Sequence, residues 1–366
     1  MFSKRVERLN PYVPGEQPKD RGYIKLNANE NPYPPSSKAI EEIAIFVKNN
    51  AMKLALYPDP DSSDLRIAIA EHLNKTGGCM NNPQKLKTPI TKDMIFCGNG
   101  SDEVLSFAFY SFFDKLIIPE HTYSFYPVYC DYYGIDLEKI PLNSDFTINK
   151  ELMLEKLKYT NGTIFANPNA PTSLSLSNDE IREMLKKFPK EKVLIVDEAY
   201  ADFSDESVLP LLNEFENLVV VRTFSKSMSA AGMRLGYLVA NEKIITLIKT
   251  AKNSFNHFPV DVVTQQMGIY SCKDTDYYID CTKKIVKTRQ DFSQFLIENG
   301  WFIYESKTNF ILAKKECLAG KEIYEKIKQN GILVRHFSTK GIEDFVRISV
   351  GTNEQMEELK QIMKNL

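Results

Sequence analysis

The chain has 366 residues, a formal net charge of −2 and 43% hydrophobic residues, enough for one large core and a second smaller one. No segment carries a dominant basic stripe, which argues against an extended nucleic-acid footprint, and no run reaches the roughly 18 apolar residues of a membrane span. The six scattered cysteines form no CxxC pair, the four histidines lie far apart, and the N-terminus is charged and proline-broken, so the composition reads as a cytoplasmic enzyme with reduced thiols and no metal.

Prolines at 11, 14, 18, 32, 34 and 35 predict an extended arm over residues 1–35. A helix is expected near 37–49, with Ile40, Ile43 and Val47 on one face. A second, about 62–75, is expected to be capped by Asp61, Ser62 or Ser63 and to bury Leu65, Ile69 and Leu73. From residue 94 to about 240, short apolar runs alternate with amphipathic segments. The runs 94-MIFC, 116-LII, 163-TIFA, 193-VLIV, 218-LVVV and 236-GYLVA each suit a buried strand, and 178-NDEIREMLKKF suits a helix. This alternation predicts an α/β fold with a mostly parallel sheet flanked by helices. Residues 242–300 read as helical. After 300 the strand-like runs 301-WFIYE, 309-NFILA, 332-ILVRHF and 345-FVRISV, with helices near 321–329 and after Thr352, predict a smaller α+β domain. The division is a large domain over 36–255 and a small one over 256–366, with the arm packing against the latter.

Chemistry concentrates where strands end. The run 163-TIFA leads to Asn167, 193-VLIV to Asp197 and 218-LVVV to Lys226, stations ~30 residues apart, the length of a strand–helix–strand unit. Open parallel sheets bind ligands at the carboxyl ends of their strands, so an amide-rich loop, an acid and a lysine converge there. Lysine beside a buried acid is either an ion pair or a Schiff-base lysine serving pyridoxal phosphate, with the acid on the pyridinium nitrogen. Tyr200, three residues past Asp197, is a packing tyrosine or a partner of the ring hydroxyl. The stretch 98-GNGSDE places glycines and Ser101 at a strand-to-helix junction, a natural phosphate seat that Asp102 must turn its side chain away from. Arg234 can supply a charged fork to the same phosphate. A dinucleotide reading of this G-x-G is weak, because Glu103 stands where the third glycine belongs. No G-x-S-x-G elbow supports a serine hydrolase.

These residues resemble the fold-type I pyridoxal-phosphate aminotransferases over nearly the whole chain. The likeness rests on 26-LNANENPYPP, 56-LYPDP, 98-GNGSDE, 119-PEHTYSFY, 167-NPNAPT, 197-DEAYADF, 224-FSKSMSAAGMRLGY, 308-TNFIL, 333-LVR and 346-VRISVGT. The resemblance implies that Lys226 carries the cofactor and shuttles the substrate's proton, that Asp197 pairs with the pyridinium, and that Tyr200 bonds the ring oxygen. It implies that Tyr123 stacks on the ring. The amides of Ser101 and Asp102, with Thr223, Ser225 and Arg234, would hold the phosphate, and Tyr57 would reach it from a second subunit of a homodimer. Many relatives have asparagine where this chain has Ala170, so either Asn169 substitutes as a partner for the ring hydroxyl or Tyr200 acts there without one. The branch most resembled acts on a phosphorylated amino alcohol, with 2-oxoglutarate as acceptor. Arg335 and Arg347 would then bind the phosphate ester, while Tyr12, Asn29 and Glu30 close over the imidazole end. Alternatives within the cofactor class are an aromatic-amino-acid aminotransferase and a phospho-amino-acid decarboxylase.

Overall fold

The computed structural model describes residues 3–7, 9–13, 15–17 and 22–366, so Pro14 and Pro18 of the expected arm lie outside the described residues. The arm holds a single helical turn, α1 (Lys4–Glu7), and a two-residue strand, β1 (Ile24–Lys25). Two helices follow, α2 (Ser37–Asn49) and α3 (Ser63–Thr76). The residues that α2 buries are Ala39 and Phe46, whereas Ile40 is 49% exposed, which corrects the expected Ile40, Ile43, Val47 face by about one residue of helical rotation. In α3 the predicted Leu65, Ile69 and Leu73 are all buried. Its cap differs from expectation: no side chain of Ser62 caps it, and the Asp59 carboxylate instead accepts from the Ser63 and Asp61 backbone N–H groups at 2.6 and 2.9 Å.

The large sheet has seven strands: β2 (Ile95–Asn99), β3 (Lys115–Pro119), β4 (Asp136–Ile140), β5 (Gly162–Ala166), β6 (Val193–Asp197), β7 (Leu218–Thr223) and β8 (Leu235–Val239). Their spatial order is β2-β8-β7-β6-β5-β3-β4. All pairs are parallel except those of β8, which runs antiparallel to both neighbours. Every residue of β5, β7 and β8 is buried, as strands covered by helices on both faces require. Alternate residues serve the two faces. Ile164, Ile195, Val219, Val221 and Leu238 pack under α4 (Gly100–Phe112) and α5 (Tyr126–Tyr133). Phe165, Leu194, Val196, Leu218 and Val220 pack with α3, α6 (Lys150–Lys156) and α7 (Asn178–Lys187). Strand β4, absent from the sequence expectation, is an edge strand of sequence DLEKI whose charged residues break any apolar run.

Helices α8 (Glu242–Asn253), α9 (Val262–Lys273) and α10 (Thr275–Glu298) lead into the second unit. Val260, Ile269, Cys272 and Tyr278 belong to the core of the large sheet, and the second core begins with Phe292. The second unit is a four-stranded antiparallel sheet, built from β9 (Trp301–Ile303), β10 (Phe310–Lys315), β12 (Arg335–His336) and β13 (Val346–Ser349) in the order β12-β13-β10-β9. It packs with α11 (Gly320–Gln329) and α12 (Asn353–Met363), the latter opened by the expected Thr352–Gln355 capping box. Strand β11 (Ile332–Leu333) pairs in parallel with β1, and Leu26 enters the same core, so the arm packs with this unit. Among the described residues, no helix is long and apolar enough to cross a membrane.

Candidate active site

Parallel register sets the site. Ala166, Asp197 and Val221 align across β5, β6 and β7, so the residues that follow them emerge at one edge of the sheet. A cleft of about 640 Å³ opens there, between the large sheet and the second unit. Its lining includes Lys226, Tyr200, Tyr123, Ala170, Arg335, Arg347, Tyr12 and Asn29.

Asp197 is 4% exposed and accepts from the Tyr126 hydroxyl at 2.8 Å and the Ala199 N–H at 3.1 Å. Burial pushes its carboxyl up to about 6, while the two hydrogen bonds and the Lys226 charge pull the other way. Tyr126 has no exposed surface and was not singled out by sequence: it is one of several tyrosines in 123-YSFYPVYCDYY-133, and nothing local marks which hydroxyl turns inward. In Tyr126→Phe the Asp197 midpoint should rise by roughly 0.5–1 pH unit, the worth of one hydrogen bond to a charged group. Isotope-edited infrared spectroscopy of the carboxylate would read this, and an unmoved midpoint would remove Tyr126 from the site.

Lys226 is half-buried, and its amine donates to the Ala28 carbonyl at 3.3 Å while standing 5.8 Å from the Tyr200 ring centroid. Its loop is braced on both sides. The Asn31 side-chain amide donates to the Lys226 and Ser227 carbonyls at 2.9 and 3.2 Å. On the other side the Ser227 hydroxyl donates to Asp202 at 2.6 Å, and Asp202 in turn pairs with Arg222 at 3.0 Å. Arg222, 2% exposed, also pairs with Glu198 at 2.7 Å. Sequence reasoning missed this buried network, since an arginine inside an apolar strand is legible only through partners that folding brings to it.

The expected phosphate seat has a geometry only glycine permits. Gly100, at φ +77°, would place a Cβ 2.6 Å from the Arg234 guanidinium, and Gly236 would place one 2.3 Å from the Ser101 amide nitrogen. No side chain caps the N-terminus of α4, so its first N–H groups face this cradle without a capping partner. Thr223 and Ser225 lie beside it, joined hydroxyl to hydroxyl at 3.0 Å, with the Ser225 hydroxyl 3.5 Å from Arg234. Asp102 turns its carboxylate to Arg234 at 2.8 Å and to the Tyr123 hydroxyl at 3.1 Å.

Three expected placements change. Asn169 is spent inside its own loop: its amide donates to the His121 carbonyl and the Thr172 hydroxyl, and its oxygen accepts from Thr122, so it does not replace an asparagine at Ala170. Glu30 is ion-paired with Lys25 at 2.7 Å and does not line the cleft. Asn29 does line it, but its side-chain amide is spent donating to the Tyr200 hydroxyl at 2.9 Å. Tyr12 lines the cleft beside Phe125, with ring centroids 5.4 Å apart. Tyr57, 83% exposed and stacked on Phe258, stands outside the cleft of its own chain.

Arg335 and Arg347 are directly opposite one another on the antiparallel pair β12–β13, and both line the cleft. Among the described residues the Arg347 Nε is buried without a partner, and its Nη2 donates to the Asn27 carbonyl at 3.2 Å. Like charges at facing positions oppose sheet pairing, so this arrangement is suited to an anion that both arginines can share.

A lysine, a buried carboxylate and a glycine-walled anion cradle at the carboxyl edge of a mostly parallel sheet define a fold-type I transferase. The family described as aminotransferase class I and II matches residues 21–362, and the chain belongs to it. The chain is 44% identical to a histidinol-phosphate aminotransferase of Syntrophus aciditrophicus, over 100% of this chain and 98% of that protein. It is 41% identical to the protein of the same name from Brachyspira hyodysenteriae, over 100% and 99% of the two chains. In fold it is similar to the histidinol-phosphate aminotransferase of Sinorhizobium meliloti solved with pyridoxal-5'-phosphate, with a TM-score of 0.85 at 22% identity over 100% and 96% of the two chains.

Proposed function

We propose that this chain is a pyridoxal-phosphate-dependent aminotransferase that converts histidinol phosphate and 2-oxoglutarate to imidazole acetol phosphate and glutamate, a step of histidine biosynthesis. The relatives' names support the reaction, and the facing Arg335–Arg347 pair is the observation that carries the substrate: two guanidiniums in one cleft with the lysine suit a phosphate ester, and then the dicarboxylate of the second half-reaction.

The residues present fit the cofactor. The cradle at Gly100, Gly236 and the start of α4 suits its phosphate, with Ser101, Asp102, Thr223, Ser225 and Arg234 as the holding groups. The buried Asp197 suits a pyridinium nitrogen. When bound, the cofactor supplies an aldehyde for the amino group and a ring that withdraws electrons. Asp197 would hold the proton on the ring nitrogen, Tyr200 would donate to the ring oxygen, and Tyr123 would cover one ring face. The Lys226 amine would take the proton from the substrate's α-carbon and deliver it two bonds away, to the carbon that the cofactor's aldehyde supplies, a transfer its flexible four-carbon stem allows. Arg335 and Arg347 fix the far end of the substrate, and Tyr12 closes over the imidazole. Tyr57 of the partner subunit completes the phosphate seat in a homodimer. The exposed apolar residues Met52, Leu54, Leu56 and Tyr57 support that assembly, because a run of this kind favours burial against another surface.

The test is a donor panel of histidinol phosphate, phenylalanine, tyrosine and phosphothreonine with 2-oxoglutarate, scored for glutamate and for carbon dioxide. Histidinol phosphate should give the highest kcat/KM without carbon dioxide. Arg335→Ala should lower kcat/KM for histidinol phosphate by roughly 30-fold or more, equivalent to about 2 kcal/mol for a lost charged partner, and leave phenylalanine nearly unchanged. Equal losses on both donors would remove the ester assignment.

A further inference from the structure

Resting on the reading that Tyr200 meets the cofactor's ring oxygen, we infer that Asn29 is the positioning residue of that phenol, and that it ties the phenol's orientation to the smaller unit. Among the described residues the Tyr200 hydroxyl has one hydrogen-bond partner, the Asn29 side-chain amide at 2.9 Å. An amide N–H that donates to a phenol oxygen occupies a lone pair and leaves the phenol's own hydrogen to point elsewhere. With Asn29 on one side, the direction left to that hydrogen is the cleft. Neither neighbour in the 167-NPNAPT loop can replace Asn29 here. Ala170, packed in the same cluster as Tyr200, has no polar side-chain atom, and the Asn169 amide is already engaged.

Asn29 is built to hold this position. It is 2% exposed and sits at φ +55°, a left-handed conformation that asparagine tolerates better than most residues. Its N–H donates to the Ser349 hydroxyl at 2.8 Å, that hydroxyl donates back to the Asn29 side-chain oxygen at 3.1 Å, and its carbonyl accepts from Asn309 at 3.0 Å. Ser349 is the last residue of β13 and Asn309 precedes β10, so the phenol on the large domain is gripped from the smaller one. The charged and titratable groups facing Tyr200 are Lys226, 5.8 Å from its ring, together with Arg347 and Tyr123.

The readout is the pH midpoint of the bound cofactor's visible absorption band, with cofactor affinity measured by equilibrium dialysis. A phenol hydrogen given to the ring oxygen competes with the proton on the nitrogen that joins the cofactor to Lys226. A misdirected phenol therefore leaves that proton held more tightly, and the midpoint rises. Asn29→Gly keeps the left-handed backbone and deletes the amide, whereas Asn29→Asp keeps the size and draws the phenol hydrogen toward a carboxylate. Each should raise the midpoint by roughly 0.5–1 pH unit and weaken cofactor binding roughly 5–10-fold. Tyr200→Phe should raise the midpoint at least as far, and adding Asn29→Gly to it should change nothing more. The inference is overturned if both Asn29 variants keep the wild-type midpoint while Tyr200→Phe shifts it, or if Asn29→Gly shifts it equally with and without the phenol. A Tyr200→Phe midpoint at the wild-type value would instead sink the assignment of Tyr200, and this inference with it.

Discussion

Asp197→Asn will lower turnover by on the order of 10²–10³-fold while making the cofactor-free protein more stable at neutral pH. The two effects share one cause. A carboxylate with 4% exposure, pushed up to about 6 by burial, is a charge the fold holds at a cost. Below pH 3.8, its ordinary value, the group is neutral in both folded and unfolded states and costs nothing. Between there and about 6 the folded protein binds the extra proton, so stability falls as pH rises. Above 6 the full penalty, roughly 3 kcal/mol, is present. Asparagine removes it with little steric change, because the Tyr126 hydroxyl can turn to accept from the new amide and the Ala199 N–H keeps an oxygen. Cofactor-free Asp197→Asn should melt several degrees above wild type at pH 7 and level with it below pH 4. A variant that melts lower at pH 7, or keeps near-normal turnover, would mean that the carboxylate is structural.

This trade of stability for chemistry bears on what a sequence can show. The ends of 163-TIFA, 193-VLIV and 218-LVVV were legible because a strand buried on both faces must be a continuous apolar run, and a polar residue closing such a run has few structural explanations. Asp197 closes its run directly, whereas Tyr200 and Lys226 each lie three residues beyond a strand end, and the resemblance rather than the run singles those two out. Tyr126 does not, because its bond to Asp197 spans 71 residues and its neighbourhood is uniformly aromatic. The same holds for Asn29, whose meeting with Tyr200 spans 171 residues and depends on a left-handed turn held by Ser349. Arg335 and Arg347 could be named individually from strand alternation, but their facing register is a property of the folded sheet. Periodicity also misjudged α2, where Ile40 and Ile45 stay exposed on a single chain, as a helix serving a second surface would leave them.

Lys226→Ala should abolish transamination, with turnover down by about 10⁴-fold or more, since it removes both a nucleophile and a proton carrier. Lys226→Arg separates those roles from simple charge. Arginine keeps a cation among Tyr200, Asp197 and the Ala28 carbonyl, but it does not give up its proton in a protein and so can serve neither role. Its loss should match that of alanine, even though the folded state keeps its charge. The covalent role has its own readout: borohydride added to wild type with pyridoxal phosphate should fix a mass increment on the peptide that contains Lys226, and neither variant should acquire it there. The backbone brace should survive both changes, because Asn31 and the Ser227–Asp202 bond grip the loop through atoms the substitutions leave in place. Both proteins should therefore fold, which makes their inactivity a statement about the amine. Substantial turnover in Lys226→Arg would reduce this lysine to an electrostatic partner of Asp197, and labelling of a different lysine in wild type would move the reaction centre away from the end of β7.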